Sequence, residues 1–174
     1  MPILLGIALI IIAAALLFVV LMGIFYSIDF FLELPYVGAK KDSIENILKL
    51  ANIKKGQTII DLGSGDGRLL FEAAALGAFA SGYEINPFLV FISRLRRKLK
   101  GLEDQVKIKD ESMWKADLKI ADVIFVYSLV KKMKKFEDFV YKNAKKGTRV
   151  VVNTNTFPDK KPAKTLGKIF LYIV

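Results

Sequence analysis

From Ile3 to Ile28 the chain carries no charged residue, and only small or weakly polar side chains such as Gly6, Gly23 and Ser27 interrupt the apolar run. At ~1.5 Å per residue a helix of this length reaches about 39 Å, enough to cross a hydrocarbon core ~30 Å thick with room for tilt. The run has no polar stripe of the kind a helix on a soluble core carries. It also lacks the basic flank and short apolar stretch of a cleaved signal peptide. Residues 1–28 are therefore expected to be a retained transmembrane anchor that contacts membrane lipid. Residues 29–41 read as an interfacial hinge, with Asp29 to Leu34 as a turn among the aromatic residues Phe25, Tyr26, Phe30, Phe31 and Tyr36. Lys40, Lys41, Lys49, Lys54 and Lys55 follow the apolar run, so the positive-inside rule predicts a single-pass protein with its following domain on the cytoplasmic side.

After residue 42 the pattern changes. Ile44, Ile47, Leu48 and Leu50-Ala51 recur at helical spacing behind Asp42 or Ser43, and Lys55-Gly56 is the expected stop. Short β-branched runs then alternate with helical ones. Strands are expected at 58–62, 80–84, 106–108, 123–127, 149–153 and 169–174. Helices are expected from Arg68 to Ala75, from Pro87 to about Lys100 and from Phe136 to Ala144. Pro87 suits a first helical position, where its missing N–H costs nothing. This alternation predicts an α/β domain over 42–174, with a mostly parallel sheet covered by helices on both faces. At the end of the chain two arrangements stay open. Lys164–Lys168 forms a short partner for the last strand, giving a shortened hairpin, or that strand stands alone.

Composition narrows the chemistry. The chain has 174 residues, 27 basic against 17 acidic, and a net charge of +10, all of it after residue 28. Such an excess suits an anionic membrane surface beside the anchor, or simply a lysine-rich solvated surface; nucleic acid is not expected as a partner. There is no cysteine and no histidine. Disulfides, thiol catalysis and cysteine-ligated zinc are excluded, and the commonest general base and metal ligand are missing. No metal site is expected, and no catalytic residue can be assigned.

The segment that carries chemistry is the loop Asp61-Leu62-Gly63-Ser64-Gly65-Asp66-Gly67 between a strand and a helix. Glycines at alternate positions let backbone approach a ligand closely, and the next helix offers free N–H groups. Glu84, 19 residues past Gly65, ends the second strand, where a carboxylate can accept hydrogen bonds from ribose hydroxyls. A dinucleotide site needs Gly or Ala at the third position of its fingerprint, and here that residue is Arg68. Acidic residues within the loop repel a pyrophosphate but attract a sulfonium cation. S-adenosylmethionine is therefore the expected cofactor.

The sequence resembles the class I S-adenosylmethionine-dependent methyltransferases of Rossmann-like fold. Within them it is most similar to the membrane-anchored protein lysine methyltransferases of ATP synthase c-subunit and adenine nucleotide translocase, and to their prokaryotic relatives. The resemblance rests on the apolar N-terminus, Leu34–Val37, Asp61–Arg68, Gly82–Val90, Ser93–Arg96 and Trp114–Leu118. It implies that Asp61, Gly63 and Gly65 line the methionine half of the cofactor with Asp66 close by, that Ser64 and Gly67 belong to the same cofactor-binding loop, and that Glu84 holds the ribose. It also implies that Ile85 and Asn86 lie beside the adenine, with Glu111, Ser112 and Met113 after the third strand. Tyr36 is implied to fold back over the cofactor. Ser112 stands where the family carries Asp, and Gly38 where it carries Pro.

Amide and base N-methyltransferases carry Asn/Asp-Pro-Pro-aromatic after the fourth strand, whereas this chain reads Tyr127-Ser128-Leu129-Val130. The expected acceptor is a lysine of a membrane or membrane-adjacent protein. A lipid or quinone acceptor and a non-catalytic adaptor that retains the fold are the alternatives.

Overall fold

The computed structural model describes residues 2–32 and 41–174, which fall in two units. The first is a single helix, α1 (Pro2–Leu32). Its stretch Ile3–Ile24 is long and apolar enough to cross a membrane, and its side chains there are exposed almost throughout. The helix runs on through Asp29–Leu32, where the sequence pattern predicted a turn. Ser27, which could have broken it, instead donates its hydroxyl to the carbonyl of Gly23 one turn back, at 2.8 Å.

The second unit begins with α2 (Lys41–Ala51). This helix stops four residues earlier than expected, because Asn52 adopts a left-handed conformation (φ 47°) that ends it. Its last carbonyls are held by Arg149, which donates to Ala51 and, at 2.8 Å, to Asn52. A cation at a helix C-terminus is favourable in its own right.

The remaining elements are β1 (Thr58–Leu62), α3 (Arg68–Ala75), β2 (Phe79–Glu84), α4 (Pro87–Leu99), β3 (Val106–Asp110), β4 (Val123–Tyr127), α5 (Met133–Asn143), β5 (Arg149–Asn153), β6 (Lys164–Leu166) and β7 (Ile169–Ile173). Short 3-10 turns at Met113–Lys115, Leu118–Ile120 and Val130–Lys132, which have no periodicity to betray them, join β3 to β4 and β4 to α5.

The seven strands form one sheet in the order β3-β2-β1-β4-β5-β7-β6. β3 to β5 are parallel, and β7 lies antiparallel to both β5 and β6. The terminal hairpin therefore exists, with a three-residue β6. A non-helical stretch over 154–163 connects β5 to β6 where a crossover helix would lengthen the chain. Two buried polar side chains secure it: Tyr172 accepts from the N–H of Phe157 at 3.0 Å, and Glu137 from that of Asp159 at 2.9 Å.

Right-handed crossovers place α3 and α4 on one face of the sheet and α5 on the other. Ile59, Val123, Phe125 and Val151 pack against α2, α3 and α4 in the larger core. Ile60, Leu62, Ile124, Val126 and Tyr172 alternate with them and point to the opposite face, where Phe136 and Val140 of α5 are buried. The order reverses between β1 and β4, so the C-terminal ends of these two strands open the crevice in which an open α/β sheet binds ligands.

Candidate active site

β1 delivers Asp61 to this crevice at the register position opposite Gly82 of β2 and Phe125 of β4. The chain then turns sharply. The amides of Gly63 and Ser64 both donate to the carbonyl of Tyr83 at 3.0 Å, which ties the loop to the end of β2. Gly63, Gly65 and Gly67 all have positive φ, at 92°, 57° and 80°. The first and last serve different ends. A Cβ on Gly63 would meet nothing within 4 Å, and Gly63 is exposed while its neighbours are buried. Its backbone is open to an approaching ligand. A Cβ on Gly67 would come within 2.8 Å of Phe71 and 3.1 Å of Ser93. Gly67 is thus where α3 and α4 meet the loop most closely.

Glu84 joins the loop to β2 through its carboxylate. One oxygen accepts from the amide of Gly65 at 2.9 Å, and the other accepts from Ile85 at 2.9 Å and Asn86 at 2.8 Å. Asp61 lies nearby and is buried. Burial, with the neighbouring Glu84 charge as the second cause, pushes its carboxyl up to about 8.

Asp66 is engaged by two arginines. It is buried, and its carboxylate takes the guanidinium groups of Arg68, at 2.6 Å, and of Arg96 from α4. Its Oδ1 also lies 3.4 Å from the first helical amide of α3. Asp66 thus locks the loop to two helices, and Asp61 and Glu84 are the acidic groups at the strand ends. The anion-attracting end of α3 already has a carboxylate in front of it, which disfavours a pyrophosphate there.

The other expected site residues divide in the same way. Ser64 is buried over Gly82, where its hydroxyl has no hydrogen-bond partner among the described residues, while its backbone lies in the loop. A Cβ on Gly82 would approach Ser64 and Leu70 to about 2.5 Å, too close to be accommodated. Asn86 is buried and caps α4 by accepting from the amide of Phe88 at 3.0 Å, so its side chain serves the helix. Ile85 stays partly exposed beside Glu84. Glu111 donates its amide to the carbonyl of Glu84 at 3.1 Å, which brings the end of β3 and the adjoining Ser112 to the same edge. Met113 is buried. Tyr36 lies outside the described residues.

Sequence reasoning missed the positive features of the β4 exit. Leu62 pairs with Val126, so Gly63 leaves β1 beside Tyr127, the last residue of β4. Tyr127, Leu129 and Val130 are exposed there, and the buried hydroxyl of Ser128 has no hydrogen-bond partner among the described residues. The segment Tyr127–Val130 lacks any motif, and only the strand pairing brings it to the loop.

The residues present suit a cationic nucleoside ligand. Asp61 and Glu84 are neighbouring acidic groups, Gly63 leaves the space that a Cβ would take, and a carboxylate already fronts the first amide of α3. When bound, S-adenosylmethionine supplies a sulfonium methyl group to a nucleophile.

Comparison with known proteins agrees with this geometry. Residues 61–164 match the ANTKMT methyltransferase domain. The chain is 32% identical over 135 residues to the Rattus norvegicus lysine N-methyltransferase of the ATP synthase c-subunit, covering 78% of this chain and 62% of that protein. It is 33% identical over 138 residues to the adenine nucleotide translocase lysine N-methyltransferase of Mus musculus, covering 79% of this chain and 60% of that one. It thus spans less than two thirds of either relative. The crystal structure of an RNA methyltransferase from Salinibacter ruber in complex with S-adenosyl-L-homocysteine superposes with a TM-score of 0.76 at 29% identity, covering 79% of this chain and 93% of that one. The chain belongs to the ANTKMT methyltransferase domain family, a group of Rossmann-like, S-adenosylmethionine-dependent methyltransferases.

Proposed function

We propose that this protein is an S-adenosylmethionine-dependent protein-lysine N-methyltransferase, held at a membrane by α1 and acting on a membrane or membrane-adjacent protein. The observation that carries the cofactor half of this reading is the buried Asp61 beside Glu84 under an open glycine turn. Asp61, Gly63 and Gly65 take the methionine half of the cofactor. Glu84 takes the ribose, and Ile85 and Ser112 flank the adenine.

The acceptor half rests on the two lysine methyltransferase relatives and on the β4 exit. A lysine must shed a proton before its nitrogen can attack, and desolvation favours that neutral amine. Exposed Leu129 and Val130 form an apolar rim that strips water from the lysine stem. The Ser128 hydroxyl is a buried acceptor for one amine hydrogen once the side chain enters. No histidine is needed, because methyl transfer depends chiefly on alignment and exclusion of water.

A second reading, methylation of RNA, draws on the Salinibacter ruber structure and the net charge of +10. Incubating the full chain with methyl-labelled S-adenosylmethionine, membranes and total RNA separates the readings. The expected label is protease-sensitive and recovered as methyl-lysine. Label confined to the organic extract or to ribonuclease-sensitive material would refute the lysine assignment.

A further inference from the structure

α4 is apolar on two sides. Its inner side buries Leu89, Val90 and Ser93 against the sheet. Phe91, Leu95 and Leu99 follow at four-residue intervals and are 66%, 47% and 78% exposed. At about 100° per residue, Leu95 lies about 160° around the helix from Ser93, so these three side chains form a stripe facing away from the core. Nothing among the described residues covers it.

The surroundings of the stripe are strongly basic. Arg94, Arg96, Arg97, Lys98 and Lys100 lie on or directly after α4, and no acidic residue occurs between Glu84 and Glu103. Arg96 is committed to Asp66, and Arg94 and Arg97 reach carbonyls of β3. Lys98 and Lys100 are exposed beside Leu99. An apolar stripe flanked by cations on an otherwise ordinary surface helix has the composition of an element that lies in the headgroup layer of a bilayer.

We propose that α4 is a membrane-docking face of the domain, with Phe91, Leu95 and Leu99 entering the interface of an anionic leaflet and Lys98 and Lys100 contacting lipid phosphates. The proposal rests on the membrane-held reading above, since a tethered domain meets lipid at high effective concentration. A protein partner is disfavoured as occupant by the uniform positive charge, which anionic headgroups match without a specific shape. Docking would also place the site. The stripe starts about one turn from Asn86, so a domain lying on α4 holds the Glu84 end of the crevice near headgroup level, where a juxtamembrane lysine can enter it.

The chain has no cysteine, so single labels are simple to introduce. Leu95→Cys and, as the control, the exposed Lys142→Cys on α5 carry a nitroxide in the full chain. Both are reconstituted into vesicles of phosphatidylcholine alone and of an equimolar mixture with phosphatidylglycerol. The label at residue 95 is expected to become less accessible to a water-soluble nickel relaxant and more accessible to oxygen in the mixed vesicles, while that at 142 stays in water. Lys98→Gln with Lys100→Gln should shift the docked fraction back by roughly fivefold per charge removed. A label at 95 that remains water-accessible in the mixed vesicles overturns the proposal. So does a label at 95 that is shielded from both the nickel relaxant and oxygen in the mixed vesicles, which means protein–protein contact. Release of the whole chain by carbonate washing would instead refute the anchoring by α1, and is scored on the same samples.

Discussion

Asp61 and Glu84 face each other across β1 and β2, one buried in the crevice and the other folded over three backbone amides. The relation is asymmetric. Glu84 is fixed by donors, whereas Asp61 is pushed up to about 8 by burial and by its neighbour. The ligand-free site therefore holds a proton at neutral pH that a cationic ligand will displace.

The first prediction follows from that proton. A bound sulfonium favours ionised Asp61, so binding of S-adenosylmethionine at about pH 7 should release protons, and its affinity should rise as pH approaches 8. Titration calorimetry in buffers of different ionisation enthalpy measures the release directly. It should fade above about pH 9, where Asp61 is already ionised.

The second concerns stability. The folded value near 8 lies above the unfolded value of 3.8, so the folded state binds this proton more tightly. The stability that the proton contributes is complete below about pH 4 and is lost progressively as pH rises through 8. Asp61→Asn cannot ionise and should raise the ligand-free Tm over wild type, by an amount that grows between pH 4 and 8. Thermal melts across that range in detergent micelles check the trend.

The third separates two glycines of one motif. Both Gly63→Ala and Gly67→Ala impose a positive φ on a residue with a Cβ, costing about 1–2 kcal/mol. At Gly67 the new methyl also meets Phe71 and Ser93, so overpacking of about 1–3 kcal/mol adds to the strain. Denaturant unfolding should therefore place Gly67→Ala below Gly63→Ala in stability. Cofactor affinity, corrected for unfolded protein, should fall more for Gly63→Ala.

The fourth is a double-mutant cycle on Asp66. Its two guanidinium partners are 41% and 44% exposed, whereas its own side chain is 7% exposed. Removing either arginine leaves the carboxylate a partner and should cost about 1 kcal/mol. Removing both takes the two guanidinium charges away from a buried carboxylate, and the loss should exceed the sum of the single losses. Additive values would mean that Asp66 finds other donors.

Much of this fold is visible in the residue pattern. The β-branched runs at Thr58–Leu62, Val123–Tyr127 and Arg149–Asn153 match β1, β4 and β5 residue for residue, because buried parallel strands tolerate little else. β6 has only Lys-Thr-Leu and acquires its strand conformation from pairing with β7. The loop and Glu84 were legible because glycine spacing and strand ends are local signals. So was Asn86-Pro87 as a helix start, because the cap bond to Phe88 spans two residues. The individual roles of Ser64 and Asp66 were not, since each depends on a partner set by tertiary structure: the notch at Gly82 and Arg96 on α4. The place of Tyr127–Val130 after the fourth strand was legible, but its position beside Gly63 comes only from the β1–β4 register.

The central claim is that Asp61 and Glu84 make this crevice a site for a cationic nucleoside. Equilibrium titration of the full chain in detergent micelles with S-adenosylmethionine and with NAD tests it most directly. The predicted result is saturable binding of S-adenosylmethionine, no binding of NAD, and an affinity for S-adenosylmethionine reduced at least about tenfold, or ~1.4 kcal/mol, by Asp61→Asn. Binding of NAD in preference to S-adenosylmethionine, or an Asp61→Asn protein that binds S-adenosylmethionine as tightly as wild type, would contradict it.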